Sequence, residues 1–263
     1  MSALFSDPAF VAVAIMAVLI TGISKGGFGG MALLAVPLMS LVISPIQAAG
    51  IMLPIMIPMD VMSVWVYRKK WDAGNLAVLI PAATLGITVG GLTARWVNDD
   101  IVRLLVGVIA VVFITHRFVT MRRKQAPPAA GERRQPSRAL GVFWGACSGF
   151  TSFLAHAGSP PYQVYVLPQR LPKEIYAGTS VIFFATANAI KLIPYSLLGQ
   201  FSPTNLTVSA ALLPLVPVGV LIGVWLNRRL REDVFYAIVM TAIFVVGIKL
   251  IWDGVRNVLG PIS

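Results

Sequence analysis

The charged residues of this chain occur in clusters, and the runs between them are long and apolar. Only 12% of the 263 residues are charged, about half the fraction in an average soluble domain, so a charged surface coat cannot form. Most of the runs approach or exceed the roughly 20 residues with which a helix crosses the hydrocarbon layer. We therefore predict an all-α protein that crosses the lipid bilayer several times. The apolar segments are roughly 8–24, 27–43, 46–67, 75–94, 102–120, 139–155, 159–170, 174–198, 204–227 and 233–255.

The net charge of +11 does not indicate a nucleic-acid partner. Basic surfaces bind nucleic acid by releasing counterions from phosphates. Here the Lys and Arg residues lie at the ends of apolar segments, where the positive-inside rule places them. We expect no nucleic-acid binding.

Several other classes of protein are excluded by single features. One cysteine, Cys147, permits neither an intramolecular disulfide nor a cysteine-based metal site, and we predict no metal and no cofactor. The sequence has no Walker-type phosphate-binding loop, so we do not expect this chain to hydrolyse ATP to drive transport. The first apolar segment has no basic residue before it, unlike a secretory signal, and we expect it to be retained.

The two halves of the sequence match each other. The spacing P-x4-G-x3-G-x4-R begins at Pro81 and recurs at Pro214, 133 positions later. Earlier in each half the offset is 128, and it aligns Gly50 with Gly178 and Asp60 with Asn188. We therefore predict a first transmembrane repeat at 1–120, a basic cytoplasmic linker at 121–138, and a second repeat at 139–263.

The basic residues predict an orientation. If Arg68 to Lys70 are cytoplasmic and all ten segments cross, sixteen of the 21 Lys and Arg residues lie on the cytoplasmic side, as the positive-inside rule requires. Five segments per half is an odd number, so the second repeat would be inverted relative to the first. Segments 27–43 and 159–170 look broken. If they were re-entrant, each half would have four spans and the repeats would be parallel, but we favour the inverted arrangement.

The first break is a glycine-rich run at residues 22–30, GISKGGFGG. Glycines let the backbone leave helical geometry, and a helix that starts after them directs its positive end at the break. With a lysine added, this is the chemistry of an anion site. The alternative is close helix packing with Lys25 reaching to the cytoplasmic interface. The candidate substrate-binding residues are Ser24, Lys25, Gly26, Gly27 and Gly29.

The second break lies between residues 150 and 161, at the corresponding place in the second half. Its proline pair stops a helix, and hydroxyls can satisfy the freed backbone groups. His156 titrates near neutral pH and would be able to take a coupling proton. A structural histidine bonded to a free carbonyl is the alternative. We name Ser152, His156, Gly158 and Ser159 as candidate substrate-binding residues.

Polar residues also occur inside the third segment of each half. Asp60 is the only carboxylate away from the ends of an apolar run, and a buried carboxylate must be paired, protonated or solvated. We predict that it carries a proton or pairs with a lysine. Its counterpart Asn188 and Lys191, one turn further on the same face, are candidate substrate-binding residues, as is Gln47. The alternative is that the charged groups reach an interface.

Four aromatic residues near segment ends resemble the amphipathic side chains that sit at membrane interfaces. We predict interfacial anchors at Trp65, Tyr67, Trp71 and Tyr195. These positions are expected to have no role in a binding site.

Several of these motifs together resemble the TauE/SafE family of sulfite exporter-like permeases. They are the run from Gly22 to Gly30, Ser44-Pro45, Ala48-Ala49-Gly50, Asp60-Val61 with Tyr67-Arg68 and Trp71-Asp72, and Ala177 to Ser180. The resemblance covers essentially the whole chain, although the second break departs from the family's Gly-Gly pattern. It implies a multi-pass transporter in the bacterial inner membrane for sulfur oxyanions or organosulfonates, with sulfite and sulfoacetate the usual substrates.

We predict a secondary transporter of a small anion that works by alternating access between two repeats. Protons are the candidate coupling ion, with Asp60 and His156 as candidate carriers. An anion channel is one alternative. An intramembrane serine hydrolase using Ser24 or Ser152 with His156 is another, but Ser24 lacks the G-x-S-x-G frame and no third group orients the histidine. The direction of transport and the oligomeric state stay open.

Overall fold

The computed structural model describes residues 3–26, 31–96, 98, 100–102, 104–105, 107–109, 111–112, 115, 137–229 and 232–259. These residues form helices joined by turns, with no strand among them, which confirms the all-α prediction. Almost all of the predicted linker and much of segment 102–120 lie outside the described residues. The α-helices are α1 (Pro8–Lys25), α2 (Ala35–Met39), α3 (Pro45–Tyr67), α4 (Ala73–Thr93), α5 (Arg138–Ala155), α6 (Ser159–Val166), α7 (Lys173–Leu197), α8 (Pro203–Leu212), α9 (Leu215–Arg229) and α10 (Glu232–Leu259).

Four helices begin at residues whose side chains cap the exposed backbone N–H groups. Each cap accepts a hydrogen bond from an N–H two or three residues further on, and three of the four helices have proline in their first turn. Proline is favoured there because its missing N–H has no helical partner to lose. These signals fix where the helices start. The caps are Asp7 of α1, Ser44 of α3, Asp72 of α4 and Ser202 of α8.

Four of the described helices are long and apolar enough to cross a membrane: α1, α3, α4 and α7 from Glu174. Helix α8 and the first part of α9 qualify together as a fifth span that is bent by 51°. The structure therefore supports a multi-pass membrane protein with four to five such spans among the described residues. The prediction of ten crossing segments stays a prediction.

The described parts of the two segments predicted to be broken contain no membrane-length helix. Segment 27–43 includes a 3-10 helix, Met31–Leu34, and the five-residue α2, and segment 159–170 includes the eight-residue α6. At 1.5 Å per residue, α2 and α6 extend only about 8 and 12 Å, well short of the ~30 Å hydrocarbon core. Neither α2 nor α6 is therefore long enough to cross the hydrocarbon core by itself.

Helices α4 and α5 run in the same direction and pack closely through small residues. Gly145 lies against Ala82, and about two turns further along both helices Phe153 lies against Gly90. Helices α1 and α9 form a second close parallel pair, in which the backbone of Gly22 meets that of Gly219. Small residues let backbones approach in membranes, where van der Waals packing replaces the hydrophobic effect.

Helices α3 and α7 run in opposite directions through the centre of the fold. The start of α7 lies against the end of α3, because Gly178 packs on the carbonyl of Lys70. At the other end of the pair, Gly50 near the start of α3 packs on the carbonyl of Gln200, just after α7. The middle parts of both helices are thereby held side by side.

We expect Gly149→Ala to destabilise the α4–α5 pair. A Cβ atom at this position would lie 2.1 Å from the carbonyl oxygen of Ala83, and overpacking of this kind costs about 1–3 kcal/mol. Thermal unfolding in detergent measures the loss. The matched control is Gly74→Ala, since a Cβ atom there has no neighbour closer than the Asp72 carboxylate at 3.4 Å. Equal melting temperatures for the two variants would contradict the packing described here.

Candidate functional site

Polar and charged side chains meet where α1, α3, α5 and α7 come together. Asp60 of α3 is 3% exposed, Asn188 of α7 is 3% exposed and Lys191 is fully buried. The side chain of Lys25, the last residue of α1, is 10% exposed. His156, directly after α5, completes this group, which we call the central cluster. Buried charged groups in a membrane protein are expensive, and they usually mark functional sites.

Both carboxylate oxygens of Asp60 are occupied. Oδ1 forms an ion pair with the Nζ of Lys25, and Oδ2 accepts a hydrogen bond of 2.5 Å from the Nδ2 of Asn188. The predicted pairing of Asp60 with a lysine is therefore present. This contact holds the Lys25 ammonium against α3.

The Lys191 ammonium has three polar contacts within the protein. It donates to the carbonyl oxygen and the hydroxyl of Ser152, at 3.1 Å each, and it lies 2.7 Å from Nδ1 of His156. Ser152 is in the last turn of α5, where the helix dipole favours a positive charge. Among the described residues, no carboxylate contacts this ammonium.

His156 is oriented by its backbone and by two contacts. It terminates α5 in the left-handed conformation with φ of 53°, and this turns the chain away from the helix axis. Its Nε2 lies 3.0 Å from the carbonyl oxygen of Ala49. A carbonyl only accepts hydrogen bonds, so these partners assign the proton to Nε2 and leave Nδ1 to accept from Lys191. The ring is then neutral.

These contacts bear on the predicted serine–histidine arrangement. Both ring nitrogens of His156 are used by groups other than a serine hydroxyl. The hydroxyl of Ser152 contacts Lys191 instead. No serine is therefore activated by His156 in this conformation, and the geometry does not favour a hydrolase.

The rest of the second break is closely packed. Ser148 donates a hydrogen bond of 2.6 Å to the carbonyl of Gly158, and a Cβ atom at Gly158 would lie 2.7 Å from the carbonyl of Ser148. Ser159, at the start of α6, is 9% exposed, and its hydroxyl has no hydrogen-bond partner among the described residues. A buried hydroxyl without a partner costs free energy, and a bound ligand would supply the missing partner.

The first break is only partly described. Ser24 and Gly26 are buried, and the N–H of Gly26 still bonds to the carbonyl of Gly22 at 2.9 Å. Gly27 and Gly29 lie outside the described residues. Gln47 does not join the central cluster, because its amide donates to Asn205 of α8 at 3.2 Å.

Sequence reasoning missed Ser63 and Ser148 and placed Tyr195 wrongly. Ser63 donates to the carbonyl of Lys25 at 3.3 Å. It stands 128 positions before Lys191, so the repeat offset was a signal that could have found it. The predicted interfacial anchor Tyr195 is 3% exposed and donates to the carbonyl of Phe153 at 2.6 Å. It is buried because it faces α5.

An apolar cavity of about 240 Å³ lies next to the central cluster. Ala49 and Tyr195 form part of its wall, and both are neighbours of His156. The cavity is much larger than one water molecule's share of about 30 Å³. His156 contacts two residues of the cavity wall on one side and the Lys191 ammonium on the other.

The described part of the chain contains no group of three or more His, Cys, Asp or Glu residues that could hold a metal ion. The central cluster instead combines two lysines with one aspartate, which gives a formal charge of +1 while His156 is neutral. Such a site is chemically suited to an anion, because the surplus charge is buried away from water.

Comparison with known proteins gives one match. The family model described as sulfite exporter TauE/SafE matches residues 14–250, which include every described member of the central cluster. The match confirms the resemblance that the sequence motifs indicated. No curated protein and no solved structure matches the chain.

Proposed function

Because this chain belongs to the sulfite exporter TauE/SafE family, we propose that it is a secondary transporter of a small sulfur-containing anion. The family and the apolar helices make it a multi-pass membrane transport protein. The proposed substrates are sulfite and organosulfonates such as sulfoacetate. The proposed location is the bacterial inner membrane, with the loop from Arg68 to Lys70 in the cytoplasm, as the positive-inside rule predicts.

The observation that carries this proposal is the Lys191 ammonium, which is fully buried and lies against uncharged partners. An ion taken out of water without a counter-ion costs several kcal/mol. A substrate anion at Lys191 would remove that penalty. The nearby hydroxyls of Ser152 and Ser159 would add hydrogen bonds to its oxygens, and the Lys25–Asp60 pair would hold the opposite side of the site.

Three sets of contacts support the proposed inverted repeat. The Gly86 region of α4 packs on α5, and the corresponding Gly219 of α9 packs on α1. Gly178 of α7 packs on the loop that follows α3, and its counterpart Gly50 of α3 packs on the loop that follows α7. At the centre, Asp60 bonds directly to its own counterpart Asn188. Such a repeat would let one unit move against the other and expose the site to each side in turn.

Protons are the proposed coupling ion, with Asp60 and His156 as the carriers. His156 Nδ1 lies 2.7 Å from the Lys191 ammonium, so a change in the protonation of His156 would change the electrostatics of the anion site directly. Imidazole is suited to this role because it titrates near neutral pH.

Flux into proteoliposomes tests the proposed function. We expect uptake of labelled sulfite or sulfoacetate that saturates with concentration, rises with an inward proton gradient and is inhibited by the other sulfur anion more than by acetate or chloride. Protein-free liposomes are the control. Flux that stays linear with concentration and ignores the proton gradient would indicate an anion channel. No flux of any sulfur anion would contradict the proposal.

A further inference from the structure

We infer that the central cluster binds a monovalent anion, and that it accepts a divalent anion only together with a proton. This inference rests on the proposed function, because it specifies the charge of the substrate at the same site. It follows from the number of charges that face the site and from the contacts that already neutralise them.

Three charged side chains take part in the contacts of the central cluster: Lys25 of α1, Asp60 of α3 and Lys191 of α7. His156 follows α5, and the ring of Tyr195 of α7 lies beside its imidazole.

Lys25 and Asp60 contact each other directly, so their charges cancel. The other oxygen of Asp60 accepts from Asn188, and no carboxylate among the described residues contacts the Lys191 ammonium. The charge on Lys191 is therefore the one left for a ligand, and a single negative charge would balance it.

The Nδ1 atom of His156 accepts a hydrogen bond from the Lys191 ammonium at 2.7 Å. A proton added to this nitrogen would therefore place two cations in contact. Like charges at this distance repel strongly inside a protein. A second negative charge on the ligand would offset the repulsion, and the proton would then be taken up with the anion. Bisulfite and simple sulfonates are monovalent, whereas sulfite, sulfate and disulfonates are divalent.

The test uses two probes that do not themselves titrate, ethanesulfonate and ethane-1,2-disulfonate. Their binding to the purified protein is measured between about pH 6 and about pH 8, where imidazole titrates. We expect the Kd of ethanesulfonate to change less than about threefold. The Kd of the disulfonate should rise about tenfold for each pH unit, since one proton is bound with it.

Two variants separate the charge rule from other causes. Asp60→Asn raises the cluster charge by one, so disulfonate binding should become independent of pH. The double variant Lys25→Gln with Asp60→Asn removes the ion pair but keeps the net charge of the cluster, so the Kd of the disulfonate should still rise about tenfold for each pH unit, whatever its absolute value. This double variant also keeps the test valid if Asp60→Asn alone fails to fold.

The outcomes are distinguishable. Equal, pH-independent binding of both probes by the wild type would overturn the charge rule and leave the anion site intact. A double variant whose disulfonate binding no longer depends on pH would also overturn it. Binding of neither probe, combined with no sulfur-anion flux, would instead contradict the proposed function.

Discussion

Replacing Lys191 by methionine is expected to lower sulfur-anion flux about 100-fold or more. The ammonium is fully buried at the centre of the proposed site, and loss of one partner from a buried charge pair costs about 2–5 kcal/mol, or roughly 30-fold to several thousand-fold in binding. Methionine keeps most of the side-chain volume, so little packing is lost. Flux into proteoliposomes at a fixed substrate concentration measures the effect.

A purely structural role for Lys191 would give a different result. The variant removes a buried charge that has no carboxylate partner in the described part of the chain, so its melting temperature should stay close to that of the wild type while flux is lost. The control is Lys249→Met in α10, because the Lys249 side chain is 57% exposed and pairs with Asp253 one turn away. If the Lys191→Met protein melts normally and keeps more than about half of its flux, Lys191 is not part of the substrate site.

Lys25→Met is expected to destabilise the protein by about 3–5 kcal/mol. The substitution leaves the Asp60 carboxylate buried without its cation, and breaking a buried pair on one side carries this penalty. The equilibrium between folded and unfolded protein would shift by about two to nearly four orders of magnitude. The free energy of unfolding in detergent, measured by denaturant titration, checks the value.

The double variant Lys25→Met with Asp60→Leu should recover most of that loss. Removing both charges also removes the cost of keeping them out of water, and apolar replacements of buried pairs are often neutral or stabilising. The exposed pair Lys70–Glu174 provides the control, since Lys70→Met should cost no more than about 1 kcal/mol. Additive losses from Lys25→Met and Asp60→Leu would show that the two residues are not coupled.

Much of the fold could be predicted because apolar length and helix caps are local signals. The run after Asp72 begins a helix at Ala73, and the run after Ser44 begins one at Pro45, as the cap and proline rules lead us to expect. The number of membrane crossings was harder to predict. A segment such as 159–170 is apolar enough to suggest a span, but its helix stops after Val166.

The candidate site was predictable in its residue types and not in its pairings. Charged residues inside apolar runs are conspicuous, and Asp60, Lys25 and Lys191 were singled out for that reason. Which lysine binds Asp60 depends on how α1 and α7 approach α3, and no local pattern gives that distance. The prediction that Tyr195 is an interfacial anchor was wrong for a similar reason. Its position near a helix end suggested an interface, but the face of α7 that carries it packs on Phe153.

The hydrogen bond between Asp60 and Asn188 has a consequence for the origin of the chain. Under the proposed repeat, each of these residues is the counterpart of the other, so their contact lies on the pseudo-two-fold axis. In an ancestral homodimer of single repeats, the same position would have brought two identical side chains together. Two aspartates there would repel or share a proton, and two asparagines would leave no charge for a lysine. Under the proposed repeat, gene duplication and fusion would have allowed the two copies to differ, so that one chain holds a neutral amide against a paired carboxylate.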